Sequence, residues 1–488
     1  MRYACVLVIS IAAIGCGGNN SNPPEPDGPA ACGPSTYRWA TEGGGDTGDV
    51  VTGAAFDADG NTWVTGTFIG AATWGTFQLA SSDTTHPSIF VAKLDPTGKV
   101  LVARALATAD GISNKATRIR AASNGHMFVA GSFEASLALD GVALTEADGG
   151  NGAGFVLELD GNGSAVMGLQ TTGDSDGVEV DDLAFDASGD LYVTGSYNGD
   201  ITLGGLTTTA ESGVTSVFVA KYSMSTSQWV WLDGWSGMVN KSDDGGIGYG
   251  VAVAGDGSVY ATGSIAGTLL VDTTTLTADG GSFLVKLGAS DGSLGWAAQL
   301  SPTAAGDRDY TSSIVVDSAA AAYIAGTFEN TPELQPAAGG TGIALAPTAD
   351  GGHDMFVAKY GADGTPVWAA HGGTATGLIT RADDLAFDGQ TLYTGGFTQG
   401  DVVFASSTLT DSSSAFVATF DTAGNLGWAQ GVVNDVNGDD NAETYALAVH
   451  SATGGIAIGG GFSGMDTFGS TSLSGPNEGD AFVAAICN

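Results

Sequence analysis

Positive charge is scarce in this chain of 488 residues: 14 Lys and Arg stand against 53 Asp and Glu, a formal net charge of -39. Such a surface repels phosphate backbones and anionic membrane surfaces, so nucleic acid is excluded as a partner. Charged residues are still only 14% of the chain and hydrophobic ones 43%, too apolar a balance for a disordered acidic tail. Helical patterning is missing as well, because no window sustains the apolar period of an α-helix. Catalytic patterns are equally absent. The five histidines, His86, His126, His353, His371 and His450, are scattered and form no H-E-x-x-H zinc pattern. No G-x-S-x-G elbow, P-loop or dinucleotide fingerprint occurs. Cysteine is limited to four residues.

What is present begins with an export signal. Arg2 precedes an apolar run at Ala4–Ile14, too short to span a bilayer. Ala13-Ile14-Gly15-Cys16 resembles a bacterial lipobox, with Ala13 and Ile14 in place of the usual Leu and small residue. The expectation is a signal over 1–15, with Cys16 as the lipidated first residue of the mature protein; ordinary cleavage after Gly15 is the alternative. Residues 16–35, rich in Gly, Asn and Pro, read as a flexible tether.

The rest of the chain is a repeat. "AAFDADGNTWVTGTF" (54–68), "LAFDASGDLYVTGSY" (183–197) and "VAVAGDGSVYATGSI" (251–265) each read strand, Asp/Gly turn, strand. A glycine after the second strand recurs at Gly66, Gly131, Gly195, Gly263, Gly326, Gly395 and Gly460, at intervals of 65, 64, 68, 63, 69 and 65 residues. A third strand opens at Phe90, Phe155, Phe218, Phe283, Phe356, Phe416 and Phe482. A fourth centres on Val102, Met167, Trp231, Trp296, Trp368 and Trp428, with the missing seventh found at Trp39, ahead of the first hairpin. Near-continuous apolar strands need cover on both faces, which a closed ring of sheets supplies and an open row does not. The expected fold is all-β: a seven-bladed β-propeller over 36–488, its last blade (444–487) completed by the strand at 36–41.

Two cysteines fit this ring. Cys32 lies as far before Trp39 as Gly361 lies before Trp368, and Cys487 lies as far after Phe482 as Gly361 lies after Phe356. Both map to the turn that the last blade lacks, so a Cys32–Cys487 disulfide is expected to replace it; otherwise Cys32 is simply a tether residue.

"GAAFDADGNTWVTG" (53–66) with "SIFVAKLDPTGKVL" (88–101), and "DDLAFDASGDLYVTG" (181–195) with "SVFVAKY" (216–222), resemble the bacterial seven-bladed β-propeller repeat family. The resemblance implies an exported or surface protein and no defined activity.

The connections from fourth to first strands are acidic. They carry Asp46 and Asp49; Asp174, Asp176, Glu179, Asp181 and Asp182; Asp243 and Asp244; Asp307 and Asp309; Asp383 and Asp384; and "NDVNGDDNAE" at 434–443. Converging carboxylates would suit calcium, and Asp435-x-Asn437-x-Asp439 with Asp440 has alternating oxygen ligands, though not the Gly and Glu of a complete calcium loop. Solvated turn residues are the competing reading. The turns "DADGN" (57–61) and "DASGD" (186–190) read as hairpin connections, not calcium loops. Lys93, Lys221, Lys286 and Lys359 share one repeat position and are expected to pair with a loop carboxylate.

The sequence thus describes a monomeric binding protein, lipid-anchored at the bacterial outer membrane or cell surface, or alternatively secreted or periplasmic. Its acidic face would take a protein, a glycan or calcium. Its rivals are a propeller enzyme (a hydrolase, lyase or quinoprotein) and a purely structural surface protein.

Overall fold

The computed structural model describes residues 33–488, except 46–47, 82, 109–113, 147–151, 174, 212, 238–244, 279, 302–308, 406, 411–413 and 435–441. Cys16, Cys32, Asp243, Asp244, Asp435, Asn437, Asp439 and Asp440 fall outside the described residues.

The described residues form no helix, and seven four-stranded antiparallel sheets follow one another along the chain. Blade 1 shows the plan: Val50–Phe56, Thr62–Phe68, Ser88–Leu94 and Val100–Ala105, each strand paired to the next. The first strands of the others are Lys115–Ala121, Ser175–Phe185, Gly245–Val253, Tyr310–Val316, Thr380–Phe387 and Ala442–His450. Each first strand packs on that of the next blade, and the seventh packs on the first, which closes a ring around an axis.

The last blade takes its fourth strand from the other end of the chain. Tyr37–Gly45 pairs antiparallel with Thr471–Ile486, Trp39 facing Ala485, the same relation that Trp231 has to Lys221 in blade 3. The apolar core lies between blades. One cluster joins Trp63 and Val91 of blade 1 to Ile119 and Phe155 of blade 2, and another joins Val64 and Phe90 to Ala446 and Val483 across the closing seam. Burial on both faces is why these strands read as unbroken apolar runs.

A second lacing was not evident in the sequence. Between its second and third strands each blade inserts a short hairpin, which bonds to the continuation of the previous blade's fourth strand. Ala71–Trp74 pairs with Gly43–Gly45, Leu137 with Thr108, Leu334 with Leu300, and Phe404 with Gly372; Val433 pairs with Thr467 in blade 7. Thr172–Thr202 and Gly237–Leu269 bridges do the same for blades 3 and 4.

The opposite face is laced by side chains. Trp39, Trp231, Trp296 and Trp368 donate their indole N–H to Pro96, Ala289, Ala362 and Thr422 carbonyls, in the 3–4 turn of the next blade, at 3.1, 3.1, 3.0 and 3.1 Å. The four lysines also lie on this side, and burial exceeds expectation. Lys93 and Lys221 side chains are each 13% exposed, Lys93 lying 3.0 Å from Asp57 and Lys221 3.4 Å from Asp186. Each lysine, including Lys286 and Lys359, also stands over the Trp63, Tyr192, Tyr260 or Tyr323 ring of its own blade. In the turns, Asp57 Oδ1 accepts the N–H groups of Asp59 and Asn61, and Asp186 Oδ1 those of Ser188 and Asp190, so these aspartates are turn-forming.

Candidate functional site: the axial funnel

The first strands enclose a cavity of about 920 Å³ on the axis, bordered by residues of all seven blades. Its wall is set by a bulge repeated in every first strand. Pairing with the second strand skips one residue each time: Thr52, Thr117, Asp181, Tyr249, Ser312, Asp383 and Tyr445. All seven border the cavity. A bulge re-aims the residue it leaves unpaired, here toward the axis.

The repeat glycine explains why the bulge can form. Opposite it, a Cβ on Gly195 would stand 1.9 Å from the Glu179 carbonyl oxygen, an approach only glycine permits. The same contact in blade 6 belongs to Gly396, not Gly395 as the sequence spacing suggested: Gly396 meets the Arg381 carbonyl and pairs with Phe416. The small hydroxyls then clasp neighbouring blades. Thr52 donates to the Ala116 carbonyl and Thr117 to that of Val180, both at 2.6 Å, and Ser312 donates to Ala382 at 2.7 Å.

Charge at the axis is mixed rather than purely acidic. Arg118, 7% exposed, spans it: Nη1 lies 3.2 Å from Asp384 of blade 6, and Nε 3.7 Å from Asp182 of blade 3. Arg120 adds a 3.0 Å bond to Asp182. The two aspartates also latch the next blade, Asp182 accepting the Val251 N–H at 3.2 Å and Asp384 that of Leu447 at 2.9 Å. Burial would lower the Arg118 pKa, but Asp384 and Asp182 together raise it. Lys115 pairs with Glu179, and Arg381 binds Asp383 at 3.1 Å and Glu443 at 2.7 Å, with Tyr445 hydrogen-bonded to the same Glu443 carboxylate. Burial pushes Asp383 up to about 6 against the pull of Arg381. Asp181 is raised well above the usual carboxylate range by burial and by Glu179, and its Oδ2 has no hydrogen-bond partner.

Seven acids expected in connecting loops, Asp176, Glu179, Asp181, Asp182, Asp383, Asp384 and Glu443, therefore sit within first strands. Positive charge beside Asp182 comes from the guanidinium groups of Arg118 and Arg120. Among the described residues, no three His, Cys, Asp or Glu side chains converge as metal ligands. Sequence reading passed over Lys115, Arg118, Arg120, Arg381, Tyr249 and Tyr445. Their signal was positional: when the repeats are stacked, the residues just before "LAFD" are where the copies disagree.

The chain is thus a closed seven-bladed β-propeller with a charged, aromatic axial funnel. No family model matches it, and no curated protein does. Solved structures similar to it include regucalcin, a calcium-binding protein from Agrobacterium tumefaciens (14% identity, 74% of this chain and 87% of that one, TM-score 0.32). A luciferin-regenerating enzyme is 9% identical over 93% and 98% of the two chains at TM-score 0.34. A europium-containing methanol dehydrogenase is 12% identical over 92% and 93% at 0.36. At these scores the likenesses carry no functional argument.

Proposed function

We propose that this propeller is a binding protein that takes a glycan in the axial funnel. The carrying observation is the cavity of about 920 Å³, a volume typical of small-ligand sites, which pair apolar surface with a few convergent polar groups. Tyr249, Tyr310 and Tyr445 offer ring surfaces, while Lys115, Asp181, Asp383 and Glu443 offer donors and acceptors beside them. Sugars present that same combination of C–H faces and hydroxyls. The seven copies agree at their buried positions and differ at the funnel wall, as a binding site grafted onto a repeat requires.

The lipobox-like Cys16 and the tether at 16–35 support display of a monomeric propeller on the outer membrane or cell surface, as the repeat resemblance also implies. Isothermal titration against neutral and uronic-acid oligosaccharides tests the reading. Binding should be lost in Tyr249→Ala and Tyr445→Ala and kept in Val166→Ser on the outer rim. Binding that survives both tyrosine variants, or a panel with no binder, would overturn it.

A further inference from the structure

At each seam between blades, a residue at or near the start of a first strand meets the third-strand segment of the blade before it. The backbone link repeats: the N–H of Asp49 donates to Gly479, Asn114 to Pro87, Val178 to Gly152, Gly246 to Thr215, Asp309 to Gly280 and Thr380 to His353, over 2.7–3.3 Å. The residues at the corresponding places are Asn114 and Ser88, Val178 and Ala153, Gly246 and Ser216, Asp309 and Gly281, Thr380 and Asp354, and Ala442 and Ser414. A carboxyl group occurs at either place, but a small or neutral residue faces it. Backbone N–H groups then serve the single acid: Glu329 for Asp309 at 2.7 Å and Thr348 for Asp354 at 2.6 Å.

The seam between blades 7 and 1 breaks this rule, because Asp49 meets Asp480 there. Both are buried, at 3% and 8% exposure. Their carboxyl groups converge over Gly44, whose missing side chain leaves the space: a Cβ there would lie 2.3 Å from Asp480 Oδ1 and 2.8 Å from Asp49 Oδ2. Asp49 Oδ1 accepts the Ile69 N–H at 3.1 Å, but its Oδ2 is buried without a hydrogen-bond partner. Asp49 also borders the funnel cavity. Burial first, and then the charge of Asp480, push the Asp49 carboxyl up to about 7, against the N–H groups of Ile69 and Gly45. Two buried carboxylates this close repel, which either a shared proton or a bound cation relieves, and no lysine or arginine pairs with Asp49 among the described residues.

We propose that Asp49 and Asp480 hold a calcium ion in the seam that closes the ring, with backbone carbonyls and water completing its shell. Calcium tolerates the irregular, mostly neutral oxygen set that such a seam offers, whereas magnesium demands a near-octahedral one. The site uses none of the residues 435–440.

The test is thermal unfolding of the full mature chain, stripped with EDTA and titrated with calcium chloride, alongside calorimetric calcium titration. A ligand that binds only the folded state raises Tm saturably. The wild type should gain a few degrees and bind one ion tightly. Asp49→Asn and Asp480→Asn should each fold, lose that ion and lose its Tm gain, while Asp435→Asn keeps both. No calcium response in the wild type, or a response that survives Asp49→Asn, would overturn the site and leave a carboxyl pair that shares a proton. If a variant fails to fold, terbium luminescence decides on the wild type: the proposal requires calcium-displaceable emission excited through nearby aromatic rings, and its absence counts against it.

Discussion

The backbone N–H of Cys487 donates to the carbonyl of Thr36 at 2.9 Å, and the Ser35 N–H returns a bond to the Cys487 carbonyl at 2.8 Å. The strands at the two ends of the described chain thus meet in register at the place where other blades have a turn. Cys487 is disulfide-bonded, and Cys32, just upstream of Ser35, is the partner that the repeat position favours. A non-reducing peptide map should recover the two cysteines in one linked species. Reduction, or Cys487→Ser, should cost about 2–5 kcal/mol in urea unfolding, because the bridge closes nearly the whole chain into one loop. A map showing them unlinked would refute the pairing but not the ring, which rests on the Trp39–Ala485 register.

Arg118 tests whether the axis is a binding surface or a structural plug. Arg118→Ala leaves Asp384 without its cation and Asp182 with Arg120 alone, both aspartates being 1% exposed. Breaking a buried ion pair from one side typically costs about 3–5 kcal/mol. Urea unfolding should show a loss of that order, and the triple variant Arg118→Leu, Asp182→Asn, Asp384→Asn should recover much of it. If Arg118→Ala proves neutral, the guanidinium is solvated and available to a ligand.

The turn aspartates set an acid limit. Burial alone would raise Asp57, but bonds from Asn61, Lys93 and Trp63 outweigh it and hold the carboxyl below its ordinary 3.8. Asp186 and Asp317 are lowered in the same manner, with Lys221 and Lys359 contributing. A group depressed in the folded state stabilises it above its unfolded pKa, and that contribution disappears as pH falls through the folded value. Asp57→Asn keeps the shape of the turn and loses the charge. It should cost about 1–3 kcal/mol at neutral pH and progressively less as pH falls through the folded value, as read by unfolding across a pH series. A cost that persists unchanged into acid would show that geometry, not charge, holds this turn.

Much of the ring could be read from the chain because its cause is local and repeated. The Phe of each third strand and the Asp-x-x-Gly turns impose strand length and reversal wherever they occur, and a missing fourth strand at one end with an orphan at the other leaves few alternatives to closure. The funnel was harder to read. Arg118 and Asp384 are 266 residues apart in the numbering and meet only because the ring brings blades 2 and 6 face to face. The bulge at Asp181 was also hidden, since one extra residue in a strand looks like the end of a loop. That is why the acids at 181–182 and 383–384 read as loop residues. The sixth repeat glycine was misplaced for a related reason: "TGGF" offers two glycines, and only the bond network shows that Gly396 is the one opposite the bulge.

The inserted hairpins have a consequence for how a molecule would enter. They tie each blade to its neighbour through main-chain bonds, and the first follows Ile69, whose N–H bonds the funnel-lining Asp49. A rim of that kind behaves as a hoop: it cannot widen at one seam without tearing peptide bonds' partners from each other. The doorway is therefore of fixed width, and admission is decided by size and by the side chains just inside it. Uptake should follow single-step kinetics that scale linearly with ligand concentration, with no slower rearrangement behind them.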